Sequence, residues 1–209
     1  MSYPDPPAGF DPLLEMLPSR AFVWRCHSIE RDPVEPNSTV SPGRFRPVYD
    51  TDGSVVPTCY AADSEDAAIA EGPFHDLPVV AGPKHLARAV TDILTLSHLT
   101  VTRDLSLVSF RRHGLRRVGA TQGTLIEPGQ LCYPASAAWG QAAYNHESKP
   151  DGILWVSRQF PGGAAMLLFW DRCGSAIEQS GASLPLAVGR GLELLSRAAN
   201  AANVVIVSE

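Results

Sequence analysis

The stretch that decides the fold is Gly43-Arg44-Phe45, followed after a turn-rich insert by Val55-Val56-Pro57-Thr58-Cys59-Tyr60-Ala61-Ala62-Asp63-Ser64-Glu65-Asp66-Ala67-Ala68-Ile69-Ala70-Glu71. It reads as a strand ending in a tyrosine, a capped turn, and a helix that carries one late glutamate among alanines. Asp63 or Ser64 can cap that helix. Glu65 and Asp66 then fall in its first turn, where backbone N–H groups and the helix dipole favour negative charge. Gly72-Pro73 ends the helix or makes it irregular. Arg44, Tyr60 and Glu71 are thereby drawn toward one edge of a sheet. Taken singly, each has an ordinary reading. Glu71 is a solvated helix glutamate, Tyr60 a core residue with its hydroxyl satisfied, and Arg44 a loop arginine in salt contact with Asp50 or Asp52.

Two flanking strands widen the pattern. Ala21-Phe22-Val23-Trp24-Arg25-Cys26-His27 is an apolar strand in which alternation puts Val23 and Arg25 on one face and Trp24 on the other. Arg25 either points to water or, if that face is buried, needs a carboxylate or a ligand phosphate. Downstream, Asp151-Gly152 turns into Ile153-Leu154-Trp155-Val156-Ser157, a strand ending at a hydroxyl. No Gly-x-Ser-x-Gly elbow surrounds Ser157, so it is not read as a hydrolase nucleophile. On residue logic alone it is a turn residue, although a strand-end hydroxyl can also orient a sugar or phosphate.

Around these segments the first 20 residues are proline-rich and read as an irregular arm, with residues 21–209 forming one domain. Residues 87–110 are ambiguous between helix and strand. Residues 134–146 and 192–201 read as helices, Ala164-Ala165-Met166-Leu167-Leu168-Phe169-Trp170 as a central strand, and Val204-Val205-Ile206-Val207 as a terminal strand. Strands interspersed with a few helices and long loops imply an α+β domain rather than a regular βαβ series. A chain of 209 residues with 44% hydrophobic residues can bury a proper core. The net charge of −5 gives no global basic field for nucleic acid or anionic lipid. The cluster Arg111-Arg112-His113-Gly114-Leu115-Arg116-Arg117 therefore reads as a solvated face or a docking patch. The cysteines (Cys26, Cys59, Cys132, Cys173) form no CxxC pair, and the histidines show no HExxH spacing, so no metal site is expected. Without a signal-like N-terminus or a membrane-length apolar run, the expected compartment is the cytoplasm, with no membrane contact.

At these residues the sequence resembles the RES domain family, named for its arginine, glutamate and serine. The pattern is carried by Arg25, Gly43-Arg44-Phe45, Tyr60, Ala67-Ala68-Ile69-Ala70-Glu71 and Gly152-Ile153-Leu154-Trp155-Val156-Ser157. The departures are Arg46, in place of a commoner polar residue, and the insert over residues 47–57. The resemblance implies an ADP-ribosyltransferase-like fold, a single α+β domain with a split mixed β-sheet core flanked by helices. It also implies an enzyme that takes NAD as a substrate rather than a cofactor and cleaves its nicotinamide–ribose bond by hydrolysis or phosphorolysis. Such proteins are typically toxins of bacterial toxin–antitoxin pairs, and their antitoxin partner usually carries a helix-turn-helix domain and blocks the cleft. Within that frame Glu71, Arg25 and Ser157 are the expected catalytic residues. Arg25, Arg44, Tyr60 and Ser157 are the expected NAD-binding residues. Direct nucleic-acid binding is not expected, and a homodimer is left open. The alternatives are an ADP-ribosyltransferase acting on a protein or nucleotide, and a catalytically silent module that pairs with a regulator.

Overall fold

The computed structural model describes residues 3–208, the side chain of Leu131 excepted. Strands β1 (Leu14–Leu17), β2 (Phe22–Ser28) and β3 (Thr58–Ala62) lead into helix α1 (Glu65–Glu71). Then come β4 (Lys84–Ala87), the short α2 (Arg88–Asp92), β5 (Leu94–Val101) and β6 (Leu105–Phe110). Helices α3 (His113–Arg117), α4 (Gln122–Leu125) and α5 (Tyr133–Asn145) precede the antiparallel pair β7 (Gly152–Val156) and β8 (Ala164–Phe169). The remaining elements are α6 (Trp170–Cys173), β9 (Ile177–Gln179), β10 (Leu184–Pro185), α7 (Gly189–Ala201) and β11 (Val204–Val207).

The main sheet runs β1-β6-β7-β8-β3-β2-β5-β10, with β9 also on β5, while β4 and β11 make a separate parallel pair. Its neighbours are antiparallel except β6 and β7. This is a mixed α+β single domain, and its sheet is split. β2 is registered with β5 over its whole length and β3 with β8 over all of its own, yet β2 and β3 meet at one pair, Trp24 and Ala62.

Alternation explains the layering. β8 is buried at every position, because both of its faces are covered. On one face Tyr60, Trp155, Leu167 and Phe169 pack with Phe110 of β6 and Trp139 of α5. On the other, Cys59, Leu154, Met166 and Leu168 pack with Leu99, Val101 and Leu107. A third cluster lies where Ile69 of α1 meets Leu194 and Leu195 of α7. Ile69 is wholly buried, which stabilises the fold by about 1.5–3 kcal/mol.

The arm over residues 1–20 is not irregular throughout. Positions 1 and 2 lie outside the described residues, as does Glu209, but β1 pairs antiparallel with β6, with Leu14 opposite Val108. Only four residues long and on the sheet edge, β1 is set by its partner rather than by its own pattern. The basic cluster holds the arm in place. Arg111 Nε donates to both carboxylate oxygens of Glu15 at 3.0 and 3.1 Å, and Arg117 Nε donates to the Asp11 carbonyl. Farther along the arm, Trp139 Nε1 donates to the Pro4 carbonyl at 2.7 Å.

The Arg111 hydrogen bonds hold the Glu15 carboxyl below its usual range, against the upward push of burial. A depressed carboxyl contributes stability that is present above its ordinary pKa and is lost as pH falls through the lowered value. Hydrogen-exchange protection at residues 14–17 is therefore expected to fall with acid. Glu15→Gln should lower that protection at neutral pH and flatten its pH dependence. Wild-type protection that stays constant down the acid series would show that the pair does not hold the strand.

Candidate active site

The split positions the site. Beyond Trp24 and Ala62, β2 and β3 diverge, and α1 packs across both. Ser64 Oγ caps α1 by accepting from Ala67 N–H at 3.3 Å, and Arg197 of α7 pairs with Glu65 and Asp66 in the first turn. At the other end a Cβ on Gly72 would lie 2.7 Å from Cys26 Sγ, so only glycine lets the helix end sit this close to β2. The last residue of α1, Glu71, is thereby placed beside a cleft of about 760 Å³, within the range of small-molecule sites. Arg44, Tyr60, Glu71, His75, Gln130 and Tyr133 are among its lining residues.

Glu71 is fixed by the turn after β7. Its Oε1 accepts from Ser157 Oγ at 2.6 Å and from Arg158 N–H at 3.0 Å. Ser157 is fully buried, and its Oγ also accepts from Phe160 N–H at 2.9 Å. The hydroxyl's one proton goes to the glutamate, so Ser157, expected from sequence to be catalytic and substrate-binding, is placed directly on Glu71. A hydrogen bond to a charged acceptor contributes about 1.5–3 kcal/mol. If that sum serves the transition state, Ser157→Ala should lower kcat by roughly 10- to 100-fold with little change in KM. Steady-state kinetics on NAD, the substrate that the family resemblance implies, checks it, and a pure KM effect would assign Ser157 to substrate binding.

Arg44 is buried and takes no carboxylate partner among the described residues. Nη1 donates to the Leu125 carbonyl at 3.3 Å and Nη2 to the Pro128 carbonyl at 3.1 Å. The expected contact with Asp50 or Asp52 does not form; Asp50 instead caps its own turn by accepting from Asp52 and Ser54 N–H. Tyr60 Oη donates to the Arg44 carbonyl at 2.6 Å, and burial keeps this phenol far above its usual pKa, against the pull of Arg46. A Cβ on Gly43 would lie 2.7 Å from the same hydroxyl, so glycine is needed for the approach. The insert over residues 47–57 is packed against α5. Val48 and Val56 enter the core, and Tyr49 exchanges hydrogen bonds with Gln141.

Arg25 is not brought to the cleft. Strand alternation turns Cys26 toward it and Arg25 to the opposite face, with Val23 and His27. There Arg25 is buried, and its Nη1 donates to the Pro33 carbonyl at 2.7 Å. The partner that burial demanded is a loop carbonyl.

The structure adds residues that sequence reasoning missed. Tyr133 Oη lies 2.8 Å from His75 Nε2, His75 Nδ1 lies 2.7 Å from Asp76 Oδ1, and Gln130 Nε2 donates to the same oxygen. The one sequence signal was a histidine four residues past Glu71, across a helix-ending Gly-Pro. Among the described residues no group of three or more His, Cys, Asp or Glu is placed to hold a metal, and no helix is long and apolar enough to cross a membrane.

A family model described as the RES domain matches residues 22–188. No curated protein matches the sequence. Among solved structures, the chain is similar to one from the M. tuberculosis MbcT–MbcA toxin–antitoxin complex, at 16% identity and a TM-score of 0.59. The match covers 87% of this chain and 92% of that one. The split α+β sheet is thus a fold that this chain shares with that structure.

Proposed function

The chain belongs to the RES domain family, and from that premise we propose that it is an NAD-degrading enzyme that cleaves the nicotinamide–ribose bond as the toxin of a toxin–antitoxin pair. One observation carries the reading. A glutamate held by two donors shares a cleft with an arginine that has no carboxylate partner among the described residues. Cleavage of a bond to a cationic nicotinamide passes through an oxocarbenium-like transition state, and a fixed carboxylate stabilises the positive charge that grows at the ribose. Arg44 supplies a guanidinium for the pyrophosphate, in exchange for the neutral carbonyls of Leu125 and Pro128. The Tyr60 ring forms part of the cleft wall while its hydroxyl holds the Arg44 backbone.

The test is to incubate the purified protein with NAD, with and without phosphate, and to identify the products. Free nicotinamide with ADP-ribose or its phosphate is the expected result. Label appearing on a macromolecule would favour ADP-ribosyl transfer, and intact NAD would leave only the binding-module reading. The toxin role is supported by the fold shared with a toxin–antitoxin complex. Expression alone should arrest growth in the cytoplasm of a bacterial host. Co-expression of a cognate helix-turn-helix partner that covers the cleft should restore it.

A further inference from the structure

The second polar cluster of the cleft lies beside the glutamate and has no part in holding it. Tyr133 opens α5, His75 and Asp76 follow α1, and Gln130 comes from the segment before α5. Their side chains form one chain, from Tyr133 Oη to His75 Nε2, from His75 Nδ1 to Asp76 Oδ1, and from Gln130 to the same oxygen. The proton positions follow from the partners. A carboxylate only accepts, so His75 Nδ1–H donates to Asp76, leaving Nε2 to accept from the Tyr133 hydroxyl.

Two further facts tie this chain to the reaction centre. Tyr133, His75 and Gln130 all line the cleft with Glu71. The same three residues after β7 hold both groups: Ser157 and Arg158 N–H bind the Glu71 carboxylate, while Arg158 Nη2 and Gln159 Nε2 donate to the His75 carbonyl at 3.2 and 2.7 Å. The spacing between glutamate and histidine is therefore set by one short segment. A surface histidine paired with an aspartate for solubility needs neither the buried tyrosine nor this backbone clamp.

We propose that Tyr133, His75 and Asp76 form the proton relay that deprotonates the attacking water when the nicotinamide–ribose bond is cleaved. The proposal rests on the NAD-cleaving reading of the cleft. The C1′–N bond breaks and its electron pair leaves with neutral nicotinamide. The water oxygen bonds to C1′ and its proton passes to Tyr133 Oη, while the tyrosine's own proton passes to His75 Nε2. Asp76 faces the resulting imidazolium, and the proton later returns to solvent. Burial keeps the Tyr133 phenol above its usual pKa, opposed by Arg44, so it gives its proton to His75 only as it receives one from the water. Burial also raises the Asp76 carboxyl, but the hydrogen bonds from His75 and Gln130 outweigh this and hold it below its usual range, ready to face a cation.

The experiment compares wild type, His75→Gln and Tyr133→Phe for NAD cleavage, with thermal melting as the check on folding. Sodium azide is included as a nucleophile that has no proton to lose. General base catalysis accounts for about 100- to 10,000-fold in rate. Both variants are expected to lose kcat by about 100-fold or more with KM for NAD unchanged, and azide should restore cleavage with an azide adduct of ADP-ribose as product. Full activity in either folded variant overturns the relay, as does a loss that azide does not restore. Wild-type protein that leaves NAD intact defeats the NAD reading itself, a different result from an active wild type with active variants.

Discussion

Replacing Glu71 with glutamine is expected to reduce NAD consumption by about 1,000-fold, the upper end of what one electrostatic group contributes to a transition state. Glutamine has the same length and can still accept from Ser157 Oγ and Arg158 N–H through its carbonyl oxygen, so the fold should be kept. What disappears is the negative charge that, in the proposed reaction, faces the developing oxocarbenium ion. The loss should fall on kcat, with KM nearly unchanged, since the glutamate is not asked to bind the ground state. Glu71→Asp should also be severe. The charge survives but is withdrawn by one methylene, and a displacement of about 1 Å costs on the order of 100-fold. Undiminished turnover in the glutamine variant, with melting unchanged, would remove Glu71 from the chemistry.

Gly140→Ala should have the largest effect on stability. Gly140 sits within α5 where the backbone of Phe45 crosses, and a Cβ there would lie 2.0 Å from the Phe45 carbonyl oxygen and 3.2 Å from its Cα. Neither atom belongs to a side chain that can swing away. Phe45 is fully buried, with ring centroids 5.2 Å from Phe110 and 5.1 Å from Trp155, and its N–H donates to Ser136 Oγ on the same helix. The methyl must push α5 off this cluster, an overpacking cost of about 3 kcal/mol. For a domain of this size that corresponds to a fall in melting temperature of about 10 °C. Arg44 adjoins Phe45 in the chain, so KM for NAD should rise as well. Gly123→Ala is the control, because a methyl there meets nothing nearer than Thr121 Oγ1 at 3.9 Å. Equal melting of the two variants would mean that the close crossing at Phe45 does not constrain the protein.

Legibility in the sequence followed the range of the interaction. The Ser64 cap, α1 and the apolar runs of β7 and β8 could be read because they are local patterns of capping, composition and alternation. The pairing of β1 could not, since four residues in a proline-rich arm take their conformation from β6. Alternation put Arg25 on the face of Val23, but which face opens onto the cleft depends on where α1 lies, and that is a tertiary outcome. For Ser157 the hydroxyl at the strand end was visible and its partner was not, because Glu71 is 86 residues earlier. The insert looked like an interruption between Arg44 and Tyr60. Its anchoring through Tyr49 and Gln141, 92 residues apart, has no local signature. Tyr133 and His75 were overlooked for the same reason, each being unremarked until α5 and the end of α1 are set side by side.

The single registered pair between β2 and β3 has a mechanical consequence. A continuous ladder of hydrogen bonds is stiff, and prising it open breaks several bonds at once. Here the two halves of the sheet are each fully laddered, while the junction between them is closed by one pair and bridged by α1. Breathing of the cleft floor therefore disturbs few hydrogen bonds, and its compliance is set by how α1 grips both sides. Alanines at 67, 68 and 70 give that helix a close but smooth contact. The joint between the two half-sheets thus yields more readily than the ladders within them, so the cleft can widen without loosening the strands around it.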